Sequence, residues 1–345
     1  MTQIDAGQVK RTIRAKNIYE VLRLAVQGSL AWTLPEAAWQ PVARLFGRVD
    51  AAMKARRTRR HTARIAAALN LPKDDARRIA IETRANGYLE RFQFLRSWRF
   101  GGWSPTIDVL GEQHVAEAQA KGAGIVFWAG NFSFNDIVSK MALHQIGVAV
   151  SHFSRPFHGF SGTRFGVNYL NVVKRGIEDR YLGERIMPSE RQTPRALEAI
   201  RERLKENGAV SFKVGYQGRR RARSDFLGTR LTLATAPLYL AETTGATLLP
   251  VFTLRTGTKR FEVTIGAPIA VPKDASGEPD YPAAIRIYAS MLAPYVLRDP
   301  GQWRGWRAET NVGMEWSKRQ PGPSVSARSS ADRTEKISRC DDNKP

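Results

Sequence analysis

Hydrophobic residues along this chain change their period near residue 105. Before that point they recur at helical spacing over residues 18–34, 37–46, 63–69 and 76–94, with Pro35, Pro41 and Pro72 between them. Residues 1–104 therefore read as a mostly helical region. Beyond it, short apolar runs alternate with helix-like stretches. Strands are predicted at 107–110, 125–129, 148–153, 172–173, 209–213, 247–253 and 261–265, and helices at 112–121, 136–146, 163–170, 193–207, 235–244 and 281–297. That alternation predicts an α/β domain over 105–317, built on a largely parallel or mixed sheet flanked by helices. From residue 318 to 345 apolar residues almost vanish, and a disordered polar tail is expected.

The pattern draws attention to residues 122–145. Ile125–Ala129 is a short apolar run of buried-strand character, and the helix that follows can be capped by Ser133, Asn135 or Asp136. Asn131 and Asp136 fall between the two elements. Polar side chains at such a junction lie at the C-terminal edge of the sheet beside free helix N–H groups, where open α/β folds bind ligands.

Composition adds charge to this picture. With 54 Lys and Arg against 32 Asp and Glu, the formal charge is +22, which favours an anionic partner. The single cysteine, Cys340, allows neither an intrachain disulfide nor a cysteine-based metal site. No stretch reaches the ~18 consecutive apolar residues of a membrane span. Residues 18–34 instead place Ile18, Val21, Leu22, Ala25 and Ser29 on one helical face, fitting either a helix lying on a membrane or one facing the core. The basic run Arg56–Arg60 fits a solvated face or a contact with anionic head groups, and Trp98, Phe100 and Trp103 fit core or membrane contact. Residues 1–16 lack a signal-peptide pattern, so the cytoplasm or the cytoplasmic face of the membrane is expected.

Five blocks in one order carry a family resemblance. They are Gly111–Val115 (GEQHV), Gly124–Asp136, Ser154-Arg155-Pro156, Ala209–Gln217 followed by Asp225–Gly228 (DFLG) and Pro237–Ala246 (PLYLAETTGA), and Gln302–Arg307 (QWRGWR). Together they resemble the late acyltransferases of lipid A biosynthesis, the lauroyl/myristoyl acyltransferase family, within the glycerolipid acyltransferase-like group. The resemblance implies acyl transfer from an acyl-carrier-protein or acyl-CoA thioester to an anionic membrane lipid or glycolipid, at the cytoplasmic face of the inner membrane, by a peripheral protein. It implies no cofactor and no metal.

Two departures fall in the implied site. The histidine of the family's H-x4-D/E signature is Asn131 here, while the acidic partner is kept as Asp136, and Gly215 stands where an aspartate is expected. In that signature the histidine takes the acceptor's hydroxyl proton and the carboxylate orients the ring. Asparagine has no protonation equilibrium near neutral pH and can only orient a hydroxyl. His152 and His158, flanking Arg155 after the next strand, are candidate relocated bases, with core or surface histidine as the default. His144 lies eight residues past Asp136 along the helix, out of reach. Arg155, with Gly215, Arg219, Arg220 and Arg221, forms the candidate substrate-binding set; a structural ion pair and a solvated loop are the plainer readings of the arginines.

A non-catalytic lipid-binding or scaffold protein that kept the fold and lost its base is the alternative from another class. Nucleic-acid binding is not expected, since the charge comes without a recognisable DNA- or RNA-binding signature. A serine hydrolase lacks its G-x-S-x-G elbow.

Overall fold

The computed structural model describes residues 15–154, 165, 168–169, 171–188, 193–215, 218, 220–306 and 313–315. The N-terminal helices are α1 (Ala15–Thr33), α2 (Glu36–Met53), α3 (Ala55–Leu69) and α4 (Lys73–Arg96). They are followed by β1 (Thr106–Leu110), α5 (Glu112–Ala120), β2 (Ile125–Ala129), α6 (Asn135–Gln145), β3 (Val150–Phe153), α7 (Asn171–Glu178), β4 (Glu184–Ile186), α8 (Thr193–Lys205) and β5 (Ala209–Lys213). The remaining elements are β6 (Arg221–Phe226), β7 (Thr229–Ala234), α9 (Ala236–Thr244), β8 (Thr247–Arg255), β9 (Arg260–Ile265), α10 (Tyr281–Arg298) and β10 (Gly313–Glu315).

Seven strands form a mixed sheet in the order β1-β9-β8-β2-β5-β3-β4. From β8 to β4 the neighbours run parallel, whereas β9 turns back antiparallel to β8 and carries β1 parallel to itself. Strand β2 is buried along its whole length, as its unbroken apolar run requires of a central parallel strand. On one face, Ile125, Phe127 and Ala129 pack with Phe134, Ile137 and Val138 of the α6 side, and the same core takes in Trp39 of α2 with Leu89 and Phe92 of α4. On the other face Trp128 meets Tyr288 of α10 at 4.3 Å between ring centroids, and Phe252 stacks on Tyr295 at 4.5 Å.

The architecture is the mixed α/β arrangement with a helical N-terminal region that the periodicity predicts, and the structure amends several details. The expected strand at Val172 and Val173 is part of α7, because two β-branched residues are outweighed by the i, i+4 spacing that places Lys174 beside Glu178. Pro35 and Pro72 stand at helix N-caps, but Pro41 lies inside α2. The cap of α6 is the backbone of Phe134, without any side-chain cap bond from Ser133, Asn135 or Asp136. The expected helix over 163–170 lies largely outside the described residues, and the expected tail lies wholly outside them.

A hairpin also stands where the charge-rich 221–234 stretch concealed it. In β6, Ala222 and Phe226 are buried while Arg221, Arg223 and Asp225 alternate outward. The two-residue turn Leu227-Gly228 has φ values of 45° and 67°, the left-handed pair that suits a tight hairpin.

Helix α1 is turned inside out. It buries Glu20, Gln27 and Ala31, and leaves Ile18, Leu22 and Val26 about three-fifths exposed, at 61%, 62% and 58%. The shared face of Ile18, Val21, Leu22 and Ala25 therefore points to solvent. Nearby, Arg99 and Arg96 donate to the Trp32 carbonyl, and Phe100 is fully exposed, while Trp103 is buried edge-on against Phe261. No described helix is long and apolar enough to cross a membrane.

Candidate active site

Strand β2 ends level with β5, Ala129 facing Lys213 in the parallel register, and the chain then turns through Gly130–Phe134 into α6. This turn is held from outside by the tryptophan-rich block near the C-terminus. The Ser133 N–H donates to the Gln302 carbonyl at 2.8 Å, the Arg304 N–H to the Asn131 carbonyl at 3.1 Å, and Phe132 bridges to Trp303. Trp303 and Trp306 are wholly buried, and a Cβ added at Gly305 would lie 2.3 Å from the Trp303 ring nitrogen, so only glycine fits there. Gln302 is itself locked to the end of β8, exchanging bonds with the Arg255 backbone at 2.8 and 2.9 Å. Phe134 has φ of 71°, a left-handed conformation costing a side-chain-bearing residue about 1–2 kcal/mol. Strain of this kind collects at functional turns and persists because the surroundings enforce it.

Asp136 occupies the first turn of α6, where the helix dipole favours negative charge. Its side chain is 4% exposed and meets three cations. Lys213 Nζ donates to Oδ1 at 2.5 Å, Lys174 Nζ to Oδ2 at 2.6 Å, and an Arg304 guanidinium nitrogen to Oδ2 at 3.4 Å. Arg304 also pairs with the buried Glu90 of α4. Behind them lies a second layer. Lys140 Nζ donates to the Asp136 carbonyl and to Glu178 Oε2, both at 2.7 Å, and Arg185 joins Glu178 at 2.8 Å and Asp179 at 2.5 Å. Burial pushes the Lys140 ammonium below its ordinary value against the opposing pull of Glu178 and Asp136. For Arg185 burial also pulls down, but Glu178 and Asp179 win and hold it above its ordinary value.

Asn131 is 3% exposed, and its amide makes no hydrogen bond to a described residue. Asn135, its neighbour in the turn, instead accepts from the Thr253 hydroxyl at 2.9 Å, tying α6 to β8. His152 is buried one level beneath the strand edge, with Nδ1 2.7 Å from Ser211 Oγ across the β3–β5 pair. His144 packs edge-on against Tyr181 at the far end of α6. The Gly215 carbonyl accepts from the Ala234 N–H at 2.8 Å, which joins the end of β5 to the β6–β7 hairpin. Arg220 and Arg221 stand at the start of that hairpin, and the Arg220 carbonyl accepts from the Thr235 N–H. Arg155, His158 and Arg219 lie outside the described residues.

The sequence reading singled out Asn131 and Asp136 but missed Lys174, Lys213, Arg304, Glu90 and Glu178. Two of these had a visible signal. Lys213 closes an apolar strand on the same edge as Asn131, and Arg304 lies within the Gln302–Arg307 block. The others come from distant helices, and only packing brings them in.

No group of three or more His, Cys, Asp or Glu side chains able to hold a metal occurs among the described residues. The arrangement is rich in hydrogen-bond donors and poor in proton acceptors: a neutral amide at Asn131, ammonium and guanidinium groups around Asp136, and a carboxylate whose oxygens are already engaged. It can hold an anion and orient an acceptor. Comparison with curated proteins finds no match. The family model described as bacterial lipid A biosynthesis acyltransferase matches residues 21–306, from the exposed helix α1 through the strand-to-helix junction to the tryptophan block that clamps it. That match covers most of the 345 residues, and the chain belongs to the bacterial lipid A biosynthesis acyltransferase family.

Proposed function

We propose that this protein moves a fatty acyl chain from the thioester of an acyl-carrier protein or acyl-CoA to a hydroxyl of a lipid or glycolipid acceptor, with the Asn131–Asp136 junction as the reaction site. The supporting observation is the convergence of Asn131, Asp136, Lys213 and Arg304 at the C-terminal edge of the sheet, on a turn held in a strained conformation by a buried aromatic block. In this reading Asn131 orients the acceptor hydroxyl, Asp136 organises the surrounding cations, and proximity supplies much of the rate. The outward apolar face of α1, beside Arg96 and Arg99, supports peripheral attachment to an anionic membrane at the cytoplasmic face of the inner membrane. Residues 1–104 are then the membrane-associating region and 105–317 the acyltransferase domain. Arg155, Gly215, Arg219, Arg220 and Arg221 remain the proposed substrate contacts.

A second reading has its own observation. Asp136 is engaged by three cations and no described histidine stands at the junction, as expected of a lipid-binding protein that has lost its chemistry. Acyl transfer from labelled acyl-carrier protein and acyl-CoA to membrane-lipid acceptors separates the two. Turnover by the wild type, lost by at least ~100-fold in Asp136→Ala with the fold retained by circular dichroism, supports the enzyme. Lipid binding without turnover by the wild type, with turnover in Asn131→His, supports the binding protein.

A further inference from the structure

The ion pairs behind the junction are nearly balanced. Five cations, Lys140, Lys174, Arg185, Lys213 and Arg304, are joined to Glu90, Asp136, Glu178 and Asp179. Among the described residues these cations outnumber the carboxylates they meet by one, and the side-chain exposures say which cation is most accessible. Lys213 is 30% exposed, against 12% for Lys174 and 15% for Arg304, and 5–6% for Lys140 and Arg185. One of its three N–H groups is given to Asp136, and the others make no bond to a described residue. Strand register sets it beside Ala129, two residues before Asn131. A substrate carbonyl at this edge thus meets a cation where the family signature offers a base.

We infer that Lys213 is a catalytic electrophile, holding the oxyanion that forms on the thioester carbonyl, with Asp136 as the residue that positions it. The inference rests on the proposed acyl transfer. As the acceptor oxygen bonds to the carbonyl carbon, the C=O π pair moves onto oxygen and is received by the Lys213 ammonium. When the pair returns, the C–S bond breaks and the thiolate leaves. The proton lost by the hydroxyl passes through water to that sulfur, so the products are an ester and a thiol and no side chain is changed. Such a site needs a preorganised donor more than a strong base, which fits a junction carrying asparagine. Removing one such donor typically costs about 10²–10³ in rate.

The test compares wild type, Lys213→Met and Lys213→Arg by calorimetric binding of two pantetheine-linked C12 probes: a phosphonate ester, tetrahedral and singly negative, and a thioether without a carbonyl. Lys213→Met is expected to lose about 100-fold in affinity for the phosphonate while thioether affinity changes less than about threefold, and Lys213→Arg to restore most of the loss. In single-turnover acyl transfer the same substitution lowers kcat and leaves donor KM nearly unchanged. Equal losses for both probes would make Lys213 structural and overturn the inference, as would an unchanged phosphonate affinity. If the wild type discriminates between the probes through Lys213 yet transfers no acyl group, the anion-holding role stands and the proposed acyl transfer fails.

Discussion

At the scale of single residues, the question is what an amide can do beside a carboxylate that cations already occupy. A histidine at position 131 would regain a general base, a contribution of about 10²–10⁴ in rate. Asp136 is engaged by Lys174, Lys213 and Arg304, so it cannot turn toward a new imidazole without breaking one of these contacts. Asn131→His should therefore raise the acyl-transfer rate toward the low end of that range, about 100-fold. Its pH–rate profile should gain a limb near the ordinary histidine value, about pH 6.5. A flat profile in the variant would show that the imidazole has no part in proton transfer. This departure was visible in the amino-acid order, because a signature reads out position by position. The cations were not, since Lys174 is 38 residues and Arg304 168 residues from Asp136 and no local pattern announces the meeting.

At the scale of elements, two contacts make opposite predictions. Helix α1 presents its apolar face to solvent, so Leu22→Asp and Val26→Asp should change stability by less than about 0.5 kcal/mol, as surface substitutions do. The same changes should abolish co-sedimentation with anionic vesicles; vesicle binding that survives the pair would remove α1 from the membrane contact. Helices α2, α3 and α4 are joined instead by a part-buried ion pair, in which Arg84 meets Asp50 at 2.5 Å and donates to Thr58 at 3.1 Å. Burial pushes the Asp50 carboxyl up, but Lys54 and Arg84 together outweigh it and hold it below the usual carboxylate value. The folded state thus binds its proton less readily than the unfolded chain. Stability from this group is complete above the unfolded value, about 3.9, and is lost as pH falls through the lower folded one. Asp50→Asn should cost about 1–3 kcal/mol near pH 7 in denaturant unfolding. The cost should shrink below pH 4, and one independent of pH would mean that packing, not charge, joins these helices.

For the whole molecule, the formal charge of +22 acts together with the outward apolar face of α1. In the proposed peripheral attachment, charge draws the protein to an anionic surface over a Debye length of about 10 Å at 0.1 M salt, and insertion of the apolar face then retains it. Binding to vesicles rich in anionic lipid should weaken severalfold between 0.05 and 0.5 M salt but not vanish, while zwitterionic vesicles should bind weakly at every ionic strength. Complete release at high salt would leave electrostatics as the only attachment. The ion pairs around Asp136 and Glu178 are screened much less, because they are largely shielded from solvent.

The amino-acid order by itself determined the fold class, the central strand β2, the junction that follows it and the loss of histidine there. These are local properties, carried by apolar period and by spacings of a few residues. Tertiary structure decided the rest. A strand as charged as Arg221–Phe226 becomes legible only when its partner β7 shows which alternate residues are buried. Amphipathicity identified the face of α1 that differs from the rest, but which face turns outward depended on what α4 offered it, and there the polar side is buried. Lys213 became a candidate for chemistry in the same way, once folding set its ammonium against Asp136 and left it more open to solvent than its neighbours. Charge balance and exposure are properties of an assembled neighbourhood, and the residues composing this one are spread from Glu90 to Arg304.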